Sequence, residues 1–377
     1  MSRGGLCGLL VSGLLAFFVL GAVPARADEP VVSAEGALLL DAVTGQVLWE
    51  KAGFDPRPPA STTKILTALL CLDIAPLERE VEVSAAASAV GESSVGLLAG
   101  ERFRLGELLN AALLKSANDA CYAIAEGAVG SEPYFVHLMN VKAAALGADD
   151  AVLMNTNGLP DDRHMLSCYD LALLARSAMR HEEFRQRVGS VYGTMQGGSY
   201  NRSLKNTNKL LVQNDYVTGI KTGTTNAAGA CLVSSMERDG RSVIAVVLNS
   251  RDRYGDSLRL LNYGIDAFNN TELVRAGQYL GFYQAAEAVP VRAAAGLTVS
   301  LPEGADGVTS VYHWRPPNEP GAVESGEPVG TLEFCAADGG ALGSVNLLTA
   351  ASVRPEPWRL ALWRVRDELR RIFMPGA

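Results

Sequence analysis

Histidine and cysteine are scarce in this chain, and basic residues are outnumbered. Four histidines, 137, 164, 181 and 313, are scattered over 377 residues, and no Gly-x-Ser-x-Gly occurs. A Ser-His-Asp hydrolase therefore has no sequence anchor here, and each histidine reads as structural or solvated. Cysteines stand at 7, 71, 121, 168, 231 and 335, without a Cys-x-x-Cys pair. An odd, dispersed set is no disulfide framework, dithiol redox site or zinc cluster; these cysteines read as small buried apolar residues. No metal and no cofactor is implied. Lys plus Arg total 33 against 41 acids, and a pI near 5.2 speaks against a nucleic-acid partner.

What is present begins with a targeting pattern. Arg3 precedes an apolar run from Leu6 to Val23, and Ala25-Arg26-Ala27 is a small-x-small cleavage site. Removal of 1–27 is expected, which takes two arginines and no acid with it. The rest would carry −8 − 2 = −10 and act outside the cytoplasm.

The chain is organised around Pro58-Pro-Ala-Ser-Thr-Thr-Lys-Ile-Leu-Thr-Ala-Leu-Leu70. The prolines stop what precedes, and Ser61 opens an apolar run of helical length. Lys64, three residues on, stacks one turn away on the same face. A serine hydroxyl needs an adjacent base, and a lysine with its free pKa near 10.4 cannot serve. Burial among Ile65, Leu66, Leu69 and Leu70 would depress that pKa toward the useful range.

Two further stretches raise this above a helix cap followed by a surface lysine. Leu105 to Leu114 has helical period and runs into Ser116-Ala117-Asn118, from which a second helix departs; Lys221-Thr222-Gly223 lies on a predicted strand. Ser-x-x-Lys, Ser-x-Asn and Lys-Thr-Gly in that order occur together in class A β-lactamases and penicillin-binding proteins. As one site, Ser116 relays a proton and Asn118 offers its amide to a substrate carbonyl. Lys221 and Thr222 hold a carboxylate, and Gly223 clears side-chain bulk along the strand. The backbone N–H groups of Ser61 and Thr224 form an oxyanion hole.

The chain resembles the low-molecular-weight penicillin-binding proteins, serine-type D-alanyl-D-alanine carboxypeptidases of the penicillin-binding protein 5 type. The likeness rests on those stretches together with Leu39-Leu-Asp-Ala-Val-Thr-Gly-Gln-Val-Leu48, Asn157-Gly-Leu-Pro160, Tyr169-Asp-Leu-Ala172 and Gly219-Ile-Lys-Thr-Gly-Thr-Thr-Asn-Ala-Ala-Gly229. Ala117 stands where that family often has glycine. The resemblance implies an α/β (α+β) penicillin-binding/β-lactamase-like transpeptidase fold, an antiparallel sheet with helices on both sides. It also implies removal of the terminal D-alanine from peptidoglycan pentapeptide stems through an acyl-enzyme on Ser61, and covalent inhibition by β-lactam antibiotics. A class A β-lactamase is the nearest alternative. Its deacylating glutamate is missing, because the loop from 155 to 167 holds Asp161 and Asp162 but no Glu.

The expected organisation is a leader at 1–27, a catalytic domain at 28–272, a β-rich domain at 273–352 and an amphipathic helix at 353–377. In that tail Trp358, Ala361, Leu362, Val365, Leu369, Ile372 and Phe373 share one arc flanked by arginines. This pattern suits a helix lying on a membrane surface, too short and charged to span it; docking on the protein's own core is the plain alternative.

Overall fold

The computed structural model describes residues 28–354 apart from 286, 306 and 316–321, together with 356–358, 361, 362, 364, 365 and 368. The leader and most of the tail helix lie outside the described residues. Those described between 357 and 368 are helical and exposed, Trp358, Leu362 and Val365 among them.

A five-stranded antiparallel sheet carries the molecule: β1 (Gly36–Asp41), β2 (Val47–Lys51), β3 (Val217–Thr225), β4 (Gly229–Arg238) and β5 (Arg241–Leu248), in the order β2-β1-β5-β4-β3. β1 pairs with β5 from Gly36–Leu248 to Asp41–Val243, so the opening and closing parts of the domain share one ladder. Alternate side chains point to opposite faces of a strand, and here both faces are covered. Leu38, Leu40, Val233, Ile244 and Val246 belong to the larger core with the helices of the middle of the chain. Ala37, Leu39, Leu232, Val243 and Val247 meet Leu260, Leu261 and Ile265 on the opposite face. The expectation of helices on both sides holds.

Helix α1 (Lys64–Ile74) lies inside that larger core, and every residue from Lys64 to Cys71 is buried. An apolar surface all round marks an interior helix. Around it pack α3 (Asn118–Val129), α4 (Glu132–Ala145) and α5 (Cys168–Ala178), after the short α2 (Leu105–Asn110). α5 opens on a capping box in which Ser167 and Asp170 bond reciprocally. Helix α6 (Glu182–Gly189) was not expected: it buries only Phe184 and Val188, one i,i+4 pair in a charged stretch, too little apolar signal to read. α7 (Arg253–Asp266) covers the second face of the sheet.

The β-rich module holds β6 (Phe268–Val274), β7 (Tyr279–Gln284), β8 (Ala288–Ala293), β9 (Leu297–Pro302), β10 (Thr309–Trp314), β11 (Pro328–Cys335) and β12 (Ala341–Thr349). β6 pairs with β9, and the others order as β7-β8-β12-β11-β10. Val289, Val291, Leu332, Phe334, Val345 and Leu347 form its own core. The division expected at 272/273 falls inside β6. The change of composition lags the change of structure, because the ladder already starts at Phe268, two residues after α7 ends. Ser300 ties the module to the sheet: its hydroxyl donates to Asp41 Oδ2 at 2.8 Å and accepts from Arg241 at 3.3 Å. Four cysteines, 71, 121, 168 and 231, are buried free thiols, and Cys335 is half-buried.

Asp256 is the charged staple of the catalytic domain. Fully buried on α7, it accepts from the Ser33 and Ala34 backbone N–H groups, the Ser33 and Ser250 hydroxyls, and Arg259. Burial opposes its charge, yet these donors outweigh that and hold its carboxyl below the usual range. Asp256→Ala strands those donors and should cost roughly 3 kcal/mol of stability, read from urea unfolding.

Candidate active site

Ser61 sits in a tight 3-10 turn, Ala60–Thr63, that feeds α1 at Lys64. The turn is held from several sides. The Thr62 hydroxyl donates to Pro59 O at 2.6 Å and that of Thr63 to Ala60 O at 2.9 Å. His164 lies beneath it. Its Nδ1 accepts from the Met154 N–H at 3.3 Å, so Nε2 carries the proton and donates to Thr63 Oγ1 at 3.0 Å. Burial pushes His164 down to about 4, so it is neutral. It is a prop for the Ser61 turn, in keeping with its reading as structural.

Two glycines let backbone approach this turn. A Cβ on Gly158, at φ +85°, would lie 1.9 Å from Ala60 O. A Cβ on Gly223 would lie 2.9 Å from Ser61 N and 3.0 Å from the Ala60 Cβ. Gly223 is therefore demanded by the contact between β3 and the Ser61 turn, beyond any clearance for substrate.

Lys64 Nζ reaches Ser61 Oγ at 2.8 Å, Asn118 Oδ1 at 2.8 Å and Asn157 O at 2.7 Å. The last two are pure acceptors. The Asn118 amide is oriented by its own Nδ2, which donates to Gly91 O at 3.0 Å. In a neutral lysine both N–H bonds are thereby committed to carbonyls, and the lone pair is left facing the serine hydroxyl. Burial lowers the Lys64 pKa from 10.5 to about 8, against weaker opposition from Cys121, Glu92 and Asp119. The sequence placed serine and lysine on one face, and the structure joins them.

Ser116 follows a wide turn at Ala111–Lys115 and adopts the left-handed conformation, φ +65°. It is buried at the entrance to α3, two residues before Asn118. Among the described residues its hydroxyl makes no hydrogen bond to either lysine. The loop facing it is tied down by Asn118 N–H to Ser93 O at 2.7 Å and by the Asp119 carboxylate, which accepts from Ser94 Oγ and Leu97 N–H. Asn118 keeps one amide hydrogen free of Gly91.

On β3, Lys221 is 1% exposed, and its Nζ donates to Thr222 O at 3.0 Å. Burial, then the charges of Lys64 and Arg253, hold its pKa well below the usual range. The Thr222 hydroxyl meets that of Thr207 at 2.6 Å. Thr224 Oγ1 accepts from Arg253 at 2.8 Å, and the same guanidinium donates to Gly223 O at 2.9 Å. Arg253 was not anticipated. It opens α7 some thirty residues beyond β3, and nothing in its neighbours marks it. Among the described residues, Lys64, Lys221 and Arg253 have no carboxylate in ion-pair contact.

The fold and this cluster define a serine acyl-transfer enzyme of the penicillin-binding class. The model of the D-alanyl-D-alanine carboxypeptidase family, peptidase S11, matches residues 24–252. The chain is 31% identical to D-alanyl-D-alanine carboxypeptidase DacF of Bacillus subtilis over 262 residues, covering 67% of each chain. Against DacC of Escherichia coli the identity is 28% over 331 residues, 81% of each. Penicillin-binding protein 5 from Haemophilus influenzae superposes with a TM-score of 0.76 at 25% identity, covering 87% of this chain and 99% of that one. A mutant of the Streptomyces K15 DD-transpeptidase gives 0.60 at 30% identity over 63% and 99%. The chain belongs to the D-alanyl-D-alanine carboxypeptidase family. It is a D,D-peptidase of the bacterial cell wall, a hydrolase that binds penicillin.

Because Gly158 touches the Ser61 turn, Gly158→Ala should displace Ser61. The expected outcome is a fall of about 100-fold in the rate at which a fluorescent penicillin labels the enzyme, measured by stopped-flow.

Proposed function

We propose that Ser61 is the nucleophile and Lys64 its general base. The single observation carrying this is the buried Nζ 2.8 Å from Ser61 Oγ, its other two contacts spent on carbonyls. Ser61 Oγ attacks the carbonyl carbon between the two D-alanines, and its proton passes to Lys64. The Ser61 and Thr224 N–H groups stabilise the oxyanion. When the tetrahedral adduct collapses, Lys64 returns the proton through Ser116 to the departing amine. D-alanine leaves, and an ester remains on Ser61. Water attacks that ester by the same route in reverse, restoring the hydroxyl. Asn118 orients the substrate amide with its unused N–H.

Trimming of chain ends is supported by the surplus of cations. Lys221 and Arg253 converge on one end of the site with no acid of their own, and Thr222 and Thr224 supply hydroxyls beside them. A free carboxylate answers that surplus and, by its negative charge, raises the Lys221 pKa again when it binds. A β-lactam presents the same carboxylate beside a strained amide, so it acylates Ser61. No glutamate stands in the 155–167 loop to speed its hydrolysis.

The working location we infer is the outer face of the cytoplasmic membrane, reached by export with the 1–27 leader and held by the 353–377 helix. The substrate is a wall polymer, and exposed Trp358, Leu362 and Val365 support an interfacial helix. No helix among the described residues is long and apolar enough to cross a membrane. The β-rich module, built on its own core, is read as a stand beneath the catalytic domain.

Ser61→Ala should abolish both fluorescent-penicillin labelling on gels and D-alanine release from a pentapeptide measured by mass spectrometry. Equal labelling of the variant excludes Ser61 as nucleophile. A base must be neutral to act, so the acylation rate should rise tenfold per pH unit below about 8 and level off above it, the turning point following Lys64. A rate independent of pH from 6 to 9 excludes Lys64 as the base.

A further inference from the structure

The cationic end of the cleft needs a hydroxyl hydrogen that β3 does not supply by itself. Thr224 has none to give: its hydroxyl donates to Gly223 O at 2.7 Å, and its oxygen accepts from Arg253. That leaves Thr222. Its Oγ1 lies 2.6 Å from that of Thr207, and among the described residues this is the one hydrogen bond either hydroxyl makes. Thr207 is no chance neighbour. Its N–H donates to Leu114 O at 3.1 Å, in the turn that ends at Ser116, and its carbonyl accepts from the Tyr254 hydroxyl at 3.2 Å. Buried asparagines stand on both sides of it. Asn206 Nδ2 donates to Val188 O at 3.1 Å and to Ser190 O at 3.0 Å, and its Oδ1 accepts from the Asn208 N–H at 2.9 Å. Asn208 Oδ1 in turn accepts from the Leu210 N–H at 3.1 Å. The Thr207 backbone is thus tied to the Ser116 turn, to α6 through Asn206 and to α7, while its hydroxyl meets β3.

A hydroxyl has one hydrogen and two lone pairs, whereas an ionised carboxylate only accepts. Two hydroxyls in contact spend one of their two hydrogens on each other. If Thr222 spends its own, it turns lone pairs toward an incoming carboxylate and repels it. If Thr207 donates, the Thr222 hydrogen is left for the substrate, and each bond in the chain polarises the next.

We infer that Thr207 is a positioning residue for the substrate carboxylate: its hydroxyl donates to Thr222 and so makes Thr222 a donor to the chain end. The inference rests on the reading of Lys221 and Thr222 above as the carboxylate site. Thr207 acts on the substrate through Thr222 and takes no part in the proton transfer at Ser61.

The test compares two thioesters of Nα-benzoyl-D-alanine. One is made with thioglycolate, so that its leaving group ends in a carboxylate; the other is made with ethanethiol and has none. The activated acyl group lets both be cleaved, and loss of thioester absorbance gives kcat/KM for each. The wild type should favour the acid. Thr207→Val keeps the branched shape without the hydroxyl and should cut that preference about fivefold, through KM for the acid. Thr207→Ala should do the same, and Thr207→Ser should retain the wild-type preference. A preference unchanged in Thr207→Val and Thr207→Ala overturns the inference, and an equal fall on both thioesters marks a merely structural role. Loss of the preference in Thr207→Ser also overturns it. Failure of the carboxylate reading shows differently: the wild type itself would cleave the two thioesters equally well.

Discussion

Everything in this molecule is subordinate to keeping one ammonium group dry. Lys64 is fully buried at the head of a helix whose residues are all buried as far as Cys71, and the interior lowers its pKa from 10.5 to about 8. At 1.36 kcal/mol per unit, that costs about 3 kcal/mol of folding free energy at neutral pH. The sign follows from the protonated form being disfavoured only in the folded state. The full penalty applies below pH 8 and fades as the pH climbs toward 10.5, where the unfolded lysine also loses its proton. Such a cost is bearable because the rest of the core is extensive. The sheet, α1, α3, α4 and α5 contribute one continuous apolar cluster around it.

Dryness alone does not make a base; direction does. Asn118 and Asn157 come from segments 39 residues apart in the chain, yet both present a carbonyl oxygen to the same nitrogen. Each is fixed in turn by a neighbour. Gly91 O orients the Asn118 amide, and the loop carrying Asn157 is pressed against the Ser61 turn at Gly158. The Ser61 turn is gripped between that loop and β3 at Gly223, with His164 underneath. The catalytic geometry is therefore a property of backbone contacts as much as of the polar side chains.

The three short motifs were legible because their chemistry constrains residue type, and because each stands at a recognisable junction: a helix start, a helix-to-helix corner and a strand. The sheet read well for the same reason, its strands being apolar and bounded by turn residues. What escaped has a common cause. Arg253 acts through a contact between elements distant in sequence. The close approach of Gly158 to Ala60 and the contact of His164 with Thr63 likewise join segments far apart in sequence, which leaves no local pattern. Helix α6 rests on a single apolar pair, and β6 follows α7 too closely for composition to reveal the change of structure.

β3 is the last strand of its sheet. Along one side its peptide groups have no neighbouring strand in that sheet, at the very segment that carries Lys221 to Thr225. Proteins usually blunt such borders, since an uncovered ladder invites any extended chain to join it. Under the function proposed above, this one stays open because substrate aligns there. The enzyme thus keeps room for a sixth strand along a nine-residue border. Main-chain pairing at such a border is indifferent to side chains, so discrimination among extended peptides falls to the two ends of the groove.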